Sequence, residues 1–580
     1  MGTGKLSLLS ILAGRLYYLQ VIKTDEYTTL SQNNSIKAVL IPPLRGNILD
    51  RYGSPLAINQ NHYRVMLDKN QSSSDIKASI DKLSELLSLS VDEKTLLIKK
   101  ISYASSSQPI LLHSPLSWQQ VVNIEVSSHD LPGIYVDVGQ VRFYPFSNLC
   151  AHVIGYVGAA SEQEASKTPL LNHPDIKIGK NGIEKSYNSI LSGTVGIKRM
   201  EVNAYGLSIR ELSRDESKPG QNLSLTIDIG LQDFITNKLD LKGATATIID
   251  INNGNILAMN STPTFDPNQF TQGVSNKYWK NLIEDPYNPL TNKAISNQYA
   301  PGSIFKLIVA CAALNNNIPA DFTVHCPGYV IAGNRKFHCW KDGGHGTLNL
   351  EQAIINSCNC YFYTISRRLE LDKIFQIARM FNYGSKTGIE LNNEKPGFLP
   401  SKLWKLKRFK RSWQIGDTLN SAIGQGFVLA TPIQLAVMAA RIASGNMVQP
   451  NIVMSKDNAP FKELPINKNY LDLIRAGMNG VMNSPYGTAS ASRIYEAPFQ
   501  IAGKTGTSQV ISKKNEKDNF SKDSTPWHNK NHGLFIGYGP VNNPRYACSV
   551  LVEHGGSGSG AAAPIAKEIF LELNRIYKFT

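Results

Sequence analysis

The sequence predicts a multidomain α+β protein in three parts: an N-terminal membrane anchor over 1–22, an elongated α+β pedestal over 23–218 and a C-terminal domain over 219–580. The last part is expected to join an antiparallel sheet flanked by helices to an all-helical part. Three observations predict this. At 580 residues with 42% hydrophobic content, the chain is too long for one ordinary domain and rich enough for two or three cores. The stretch 213–221 (SRDESKPGQ) is polar and full of breakers, which marks a boundary. Beyond it, strand patterns lie near both ends of the remaining chain and enclose a helical middle, so one sheet draws on distant segments.

The elements follow in order. Residues 6–22 (LSLLSILAGRLYYLQVI) are mostly apolar but only seventeen long, with Arg15 inside. A full span takes about 20 residues. The stretch reads as a single membrane anchor with Arg15, Tyr17 and Tyr18 near the outer interface, a buried amphipathic helix being the other reading. No small-residue cleavage site follows it, which argues against a removed signal peptide, and the start Met1-Gly2-Thr3-Gly4 reads as the remainder of a longer anchor. Residues 34–68 suggest short extended pieces around turns, 72–103 a lysine-rich helical region, 116–126 another helix, and then mixed strands to 157. Past the boundary, 222–227 alternates as a strand, 231–241 is helical, and 244–251 turns at Asn252-Asn253-Gly254 into 255–260. Strands are expected at 499–502, 533–538 and 546–552, and a final helix at 563–577.

The chemistry gathers around Ala300-Pro301-Gly302-Ser303-Ile304-Phe305-Lys306. Pro301 and Gly302 form a turn, the apolar run after Lys306 continues as a buried helix, and Ser303 opens it. A serine and a lysine three residues apart share a helix face, so the Lys306 amine can reach the Ser303 hydroxyl and activate it. Alone this spacing is weak: Ser74 and Lys77, and Ser79 and Lys82, repeat it in a polar amphipathic stretch. What distinguishes Ser303 is its company, Ser357-Cys358-Asn359 and then Lys504-Thr505-Gly506-Thr507. A second Lys386-Thr387-Gly388 follows a loop-like segment and is read as a structural turn. Cys326, Cys339, His345 and Cys358 form a donor set that suits tetrahedral zinc, with spacings longer than in fingers. A disulfide such as Cys326 with Cys339, or reduced core cysteines, are the other readings. Seven cysteines without regular spacing exclude a disulfide scaffold. The net charge of +15 suits a partner carrying negative charge.

With these motifs the chain resembles the class B penicillin-binding proteins over its whole length. Arg45-Gly46, Ile48, Asp50-Arg51 and Gly179-Lys180 with Gly182-Ile183-Glu184 look like that family's non-catalytic domain. Phe265-Asp266-Pro267-Asn268, the Ser303 segment, Gly424-Gln425-Gly426 and Thr431-Pro432 look like its transpeptidase domain. Trp527-His528, the segment from His532 to Gly537 and Glu553-His554-Gly555-Gly556 lean toward the elongation type. The resemblance implies a serine-type D-Ala-D-Ala transpeptidase that cross-links peptidoglycan stem peptides outside the cytoplasmic membrane, is a target of β-lactams and needs no cofactor for catalysis. It implies Ser303 as nucleophile, Lys306 as base, Ser357 as proton shuttle and Asn359 as the group orienting Lys306 or substrate. Lys504, Thr505 and Thr507 would receive the substrate carboxylate, Gly506 would let backbone approach, and the N–H groups of Ser303 and Thr507 would form the oxyanion hole. Where the family has threonine after the nucleophile, this chain has Ile304. Some elongation-type relatives are thought to carry a structural zinc at the Cys326, Cys339, His345, Cys358 position.

Because no glycosyltransferase-like segment precedes the pedestal, glycan polymerisation is expected from a membrane partner of the shape, elongation, division and sporulation type, within a rod-shape complex. The basic and aromatic stretch 402–413 (KLWKLKRFKRSW) is expected to be a solvated or lipid-facing surface, since an exported domain meets no nucleic acid. Lys513, Lys514, Lys517 and Lys522 are expected in a mobile loop. Two rivals share the motifs: a β-lactam-hydrolysing or -sensing protein, and a catalytically inert scaffold.

Overall fold

The structure, a computed structural model, describes residues 12–18, 22–23, 36–69, 76–103, 109–203, 208–240, 243–271, 273–455, 459–495, 499–510 and 526–578. Most of the anchor stretch and the expected lysine loop at 513–522 lie outside these. Among the described residues no helix is long and apolar enough to cross a membrane.

The pedestal carries two main sheets. β1 (Ile36–Ile41), β8 (Gly196–Val202) and β9 (Ser208–Asp215) form an antiparallel three-stranded sheet. The second is built on β3 (Pro55–Leu67), which pairs with β2 (Ile48–Leu49), β4 (Ile110–Leu116) and β5 (Ile134–Phe143). β3 is one thirteen-residue strand where short pieces were expected, because Asn59 to His62 interrupt the apolar pattern on its exposed length. Its apolar end, with Val65 and Leu67 fully buried, packs with Ile80, Leu83, Val121 and Ile124 of the helices Ile76–Leu87 and Trp118–Val126 into a separate core. The smaller pair β6 (Val157–Gly158) and β7 (Ile178–Gly179) leads to Glu184, wholly buried between Arg45 at 2.6 Å and Arg142 at 2.7 Å.

Of the expected strand at 222–227 only β10 (Leu223–Ser224) forms, and it pairs in parallel with β2 of the pedestal instead of joining a new sheet. The main sheet of the C-terminal part runs β12-β11-β19-β18-β17, antiparallel throughout, from β11 (Ala244–Asp250), β12 (Ile256–Thr262), β17 (Ala502–Ser508), β18 (His532–Gly539) and β19 (Tyr546–Val552). Sequence-distant segments therefore meet in the middle of one sheet. β11, β12 and β19 are buried along their whole length, the pattern of a sheet covered on both faces. The helices Pro432–Ser444 and Ala563–Tyr577 pack on it, and Lys468–Asn483 packs on β17. The helical part centres on Lys306–Asn315, buried from its first residue to Leu314, against Asn359–Ser366 and Leu371–Met380.

β17 begins later and runs further than expected: Lys504 to Thr507 lie inside the strand, not beyond the end of 499–502. Two glycines among these seven residues hide the alternation that marks a strand. Gly503 is required by packing, since a Cβ there would stand 2.2 Å from the Phe535 ring.

Candidate active site

Gly302–Phe305 forms one 3-10 turn and Lys306 begins the α-helix, so Ser303 sits on the turn just before the helix it was expected to open. The turn lies directly on β17. Gly302 has φ +55, and a Cβ on it would stand 2.4 Å from the Thr507 carbonyl oxygen and 2.9 Å from the Thr507 nitrogen. A Cβ on Gly506 would stand 2.8 Å from the Pro301 carbonyl oxygen. The Gly302 N–H donates to the Gly424 carbonyl at 2.9 Å, and Gly424 too is crowded, by the Gly302 oxygen. Glycines on three separate segments thus let three backbones close around the serine. Ile304 and Phe305 point into the core, while Ser303 is half-buried at the cleft. The isoleucine therefore occupies a packing position.

Lys306 is fully buried and donates to the Ser357 carbonyl at 2.7 Å, to Asn359 Oδ1 at 2.7 Å and to Ser357 Oγ at 3.2 Å. The expected contact with Ser303 is not among these bonds. Burial lowers its pKa to about 8, because the charged ammonium loses its hydration. Ser357, at the break between the helices Leu350–Ile355 and Asn359–Ser366, has φ +49, a left-handed conformation that a non-glycine residue holds at some cost. That conformation turns both its carbonyl and its hydroxyl to Lys306.

Lys504 is also fully buried, and its pKa is pushed well down by burial and then by the Lys306 charge. Among the described residues its ammonium donates only to the adjacent Thr505 carbonyl, at 3.3 Å. Thr505 Oγ1 meets Thr488 Oγ1 at 3.1 Å, and Gln425 Nε2 donates to the Thr507 carbonyl at 2.7 Å. A cleft of ≈ 410 Å³ brings together Ser303, Ser357, Asn359, Thr505, Gly506 and Thr507. Trp340, Gln425, Thr488, Ser557 and Ser559 also line it. Sequence reading quoted Gln425 only as part of a family motif and missed the other four, Trp340 and Thr488 on loops and Ser557 and Ser559 at the turn before the last helix, with no spacing to announce them. Lys386-Thr387-Gly388 lies elsewhere, its Thr387 N–H and hydroxyl both donating to Glu394 Oε1 at 2.6 Å.

The donor atoms of Cys326, Cys339, His345 and Cys358 all lie within 4.8 Å of one another. His345 Nδ1 is 3.6 Å from the Cys326 sulfur and 3.5 Å from that of Cys339. With Zn–S of about 2.3 Å and Zn–N of about 2.0 Å, a tetrahedral edge is about 3.5 Å. Three thiols and an imidazole at this spacing fit zinc, and all seven cysteines are free, so no disulfide joins Cys326 to Cys339. Cys360, unremarked in the sequence, also reaches the Cys339 and Cys358 thiols; the contacts from Cys358 and Cys360 favour the ionised form of Cys339. The cluster grips the loop from Asn356 to Asn359. Cys339 Sγ accepts the Asn359 N–H at 3.4 Å, the His338 carbonyl accepts Asn359 Nδ2 at 3.1 Å, and Trp340 Nε1 donates to the carbonyls of Asn356 and Ser357 at 3.0 and 3.1 Å.

Two family models match the chain: the penicillin-binding protein dimerisation domain over residues 40–225 and the penicillin binding protein transpeptidase domain over residues 244–571. Peptidoglycan D,D-transpeptidase MrdA of Escherichia coli K12 is 34% identical over 576 residues, covering 96% of this chain and 90% of the relative. MrdA of Haemophilus influenzae is 33% identical over 587 residues, covering 98% and 89%. Among solved structures, PBP2 of Helicobacter pylori in complex with MreC superposes with a TM-score of 0.84 at 32% identity, over 94% of this chain and 100% of the other. PBP2 of Pseudomonas aeruginosa in complex with WCK 5153 gives 0.68 at 30% identity, over 93% and 97%.

Proposed function

The chain belongs to the penicillin-binding proteins of the elongation type, and from that premise we propose that it cross-links peptidoglycan stem peptides through an acyl-enzyme on Ser303. It is a serine-type D,D-transpeptidase. One observation carries the assignment of residues: buried Lys306 donates to Ser357 and Asn359, and these two line the cleft that presents Ser303 and the Thr505-Gly506-Thr507 strand.

With a pKa of about 8, the Lys306 amine is partly neutral near neutral pH. A neutral amine keeps two N–H donors, which suit the two acceptors at 2.7 Å, and leaves its lone pair for a hydroxyl. Lys306 takes the Ser303 proton as Oγ attacks the penultimate D-Ala carbonyl. The backbone N–H groups of Ser303 and Thr507 receive the developing oxyanion. The C–N bond then breaks, and the terminal D-Ala leaves with a proton handed on through the Ser357 hydroxyl. An amine from a neighbouring stem peptide attacks the ester, its proton returns by the same route, and Ser303 is released. The substrate carboxylate supplies the counter-charge that buried Lys504 lacks, with Thr505 and Thr507 as hydroxyl donors.

Cys326, Cys339, His345 and Cys358 would hold one structural zinc, which supplies a rigid cross-link and no reaction chemistry. This chain's own Cys339 sulfur and His338 carbonyl then fix Asn359 against Lys306. The relatives' complexes suggest the partners: a shape protein of the MreC kind and a membrane glycosyltransferase within a peptidoglycan synthase complex. The catalytic domain works outside the cytoplasmic membrane, anchored through the N-terminal stretch. Intact mass after benzylpenicillin treatment, with the adduct mapped to its peptide, tests the assignment. One stable adduct on the Ser303 peptide, lost in folded Ser303→Ala, is expected; an adduct on another residue, or rapid turnover, overturns it.

A further inference from the structure

The pedestal encloses a cavity of ≈ 240 Å³ that cross-linking does not use, and its wall is basic. Arg64 and His62 come from β3, His113 from β4, Lys100 from the helix Val91–Tyr103 and Lys177 from the residue before β7. Two carboxylates stand nearby, and Arg64 engages both: its Nη2 donates to Asp137 at 2.6 Å and to Asp175 at 3.0 Å. Lys100 donates to the Leu111 carbonyl at 2.7 Å. Lys177 makes no hydrogen bond or ion pair among the described residues, although it is half-buried. Its proton affinity is lowered by burial, and the attraction of Asp175 is opposed by Lys100 and Arg64. Two more polar atoms of the cavity wall, Ser114 Oγ and His62 Nδ1, are buried with no partner among the described residues.

A desolvated ammonium without an acceptor is unfavourable, and so is each buried polar atom left unpaired. One anion in this space would give the Lys177 ammonium its acceptor. We propose that the cavity is a binding site for an oxyanion, a carboxylate or a phosphate, seated on Lys177 with Ser114, His62 and Lys100 around it. A neighbouring cavity of ≈ 200 Å³ shares Gln140, Val141, Asp175 and Lys177 with the first and continues onto Leu171, Ile176 and Ile178. An anion on Lys177 can therefore carry an apolar substituent into it.

The test is thermal unfolding of the full chain against inorganic phosphate, acetate and hexanoate, each compared with sodium chloride at equal ionic strength. Phosphate or acetate is expected to raise Tm saturably beyond chloride, and hexanoate to saturate at lower concentration than acetate. A response to phosphate alone assigns a phosphoryl ligand, and a response to the carboxylates a peptide or fatty carboxylate. Lys177→Met is expected to lose the increment while its own Tm without anion rises, since an unpaired buried cation is gone; a variant that merely misfolds moves the other way. Labelling of Ser303 by fluorescent penicillin stays unchanged in this variant. No saturable increment with any of the three anions, or an increment that survives in Lys177→Met, overturns the proposal. Hexanoate binding no tighter than acetate overturns its apolar extension.

Discussion

At the scale of single residues, the decisive group is Lys306. Burial holds its pKa down to about 8, so below that pH it is an ammonium without a lone pair. Acylation of Ser303 by benzylpenicillin should therefore fall about tenfold per pH unit on the acid side and level off on the alkaline side. Stopped-flow acylation rates across that range check this, and a flat profile would remove Lys306 as the base. Asn359 accepts from Lys306 without titrating. In Asn359→Asp the new carboxylate should stabilise the ammonium and move the inflection up by roughly 1 unit or more. That Ser303, Ser357, Asn359 and Thr505 to Thr507 would meet in one cleft was legible because short fixed spacings carry their geometry. Thr488 and Trp340 were not, because each reaches the cleft through tertiary packing of a loop and no neighbour in sequence shares its task.

At the scale of elements, the site depends on how closely the 3-10 turn lies on β17. Gly302→Ala adds a Cβ 2.4 Å from the Thr507 oxygen at φ +55, so either the turn or the strand must move. A loss of at least ~2 kcal/mol in urea unfolding and of most penicillin labelling is expected. The hairpin β14 (Tyr329–Ala332) and β15 (Arg335–His338), with the cluster beside it, is the second support. Treatment with a zinc chelator, or Cys339→Ser, should lower Tm and penicillin acylation together, because Asn359 loses the groups that hold its N–H and amide. Metal analysis alongside labelling decides this; full acylation in metal-free protein would make the cluster irrelevant to the loop. Strand 546–552 and helix 563–577 were read at their true limits because apolar residues run through them with the right period. β17 was misplaced because its glycines serve close approach and leave no pattern. β3 was read as fragments because its exposed length is polar.

At the scale of the whole molecule, the segment 223–228 is bonded into both domains. Leu223 pairs with Ile48 in parallel, Leu225 donates its N–H to the Leu49 carbonyl at 2.8 Å, and Thr226 donates its N–H to the Ile452 carbonyl at 2.9 Å. Arg51 adds an N–H to the Ile227 carbonyl at 3.0 Å and a guanidinium bond to Tyr577 at 3.3 Å, and Tyr577 donates to Asp228 at 2.7 Å. The segment 223–228 is thus held from both sides, which no composition shift could announce, and the consequence is coupled unfolding. Glu184 offers the test, because it lies in the pedestal far along the chain from the reacting serine and is wholly buried between Arg45 and Arg142. Glu184→Ala leaves two guanidiniums facing each other without a counter-charge, a cost of about 3–5 kcal/mol. Were the domains independent, that cost would melt the pedestal alone and leave penicillin labelling intact up to the wild-type temperature. Shared backbone pairing predicts instead that the temperature at which Ser303 stops reacting drops with the pedestal transition. Labelling with fluorescent penicillin after graded heating, run beside circular dichroism on the same samples, separates the two outcomes.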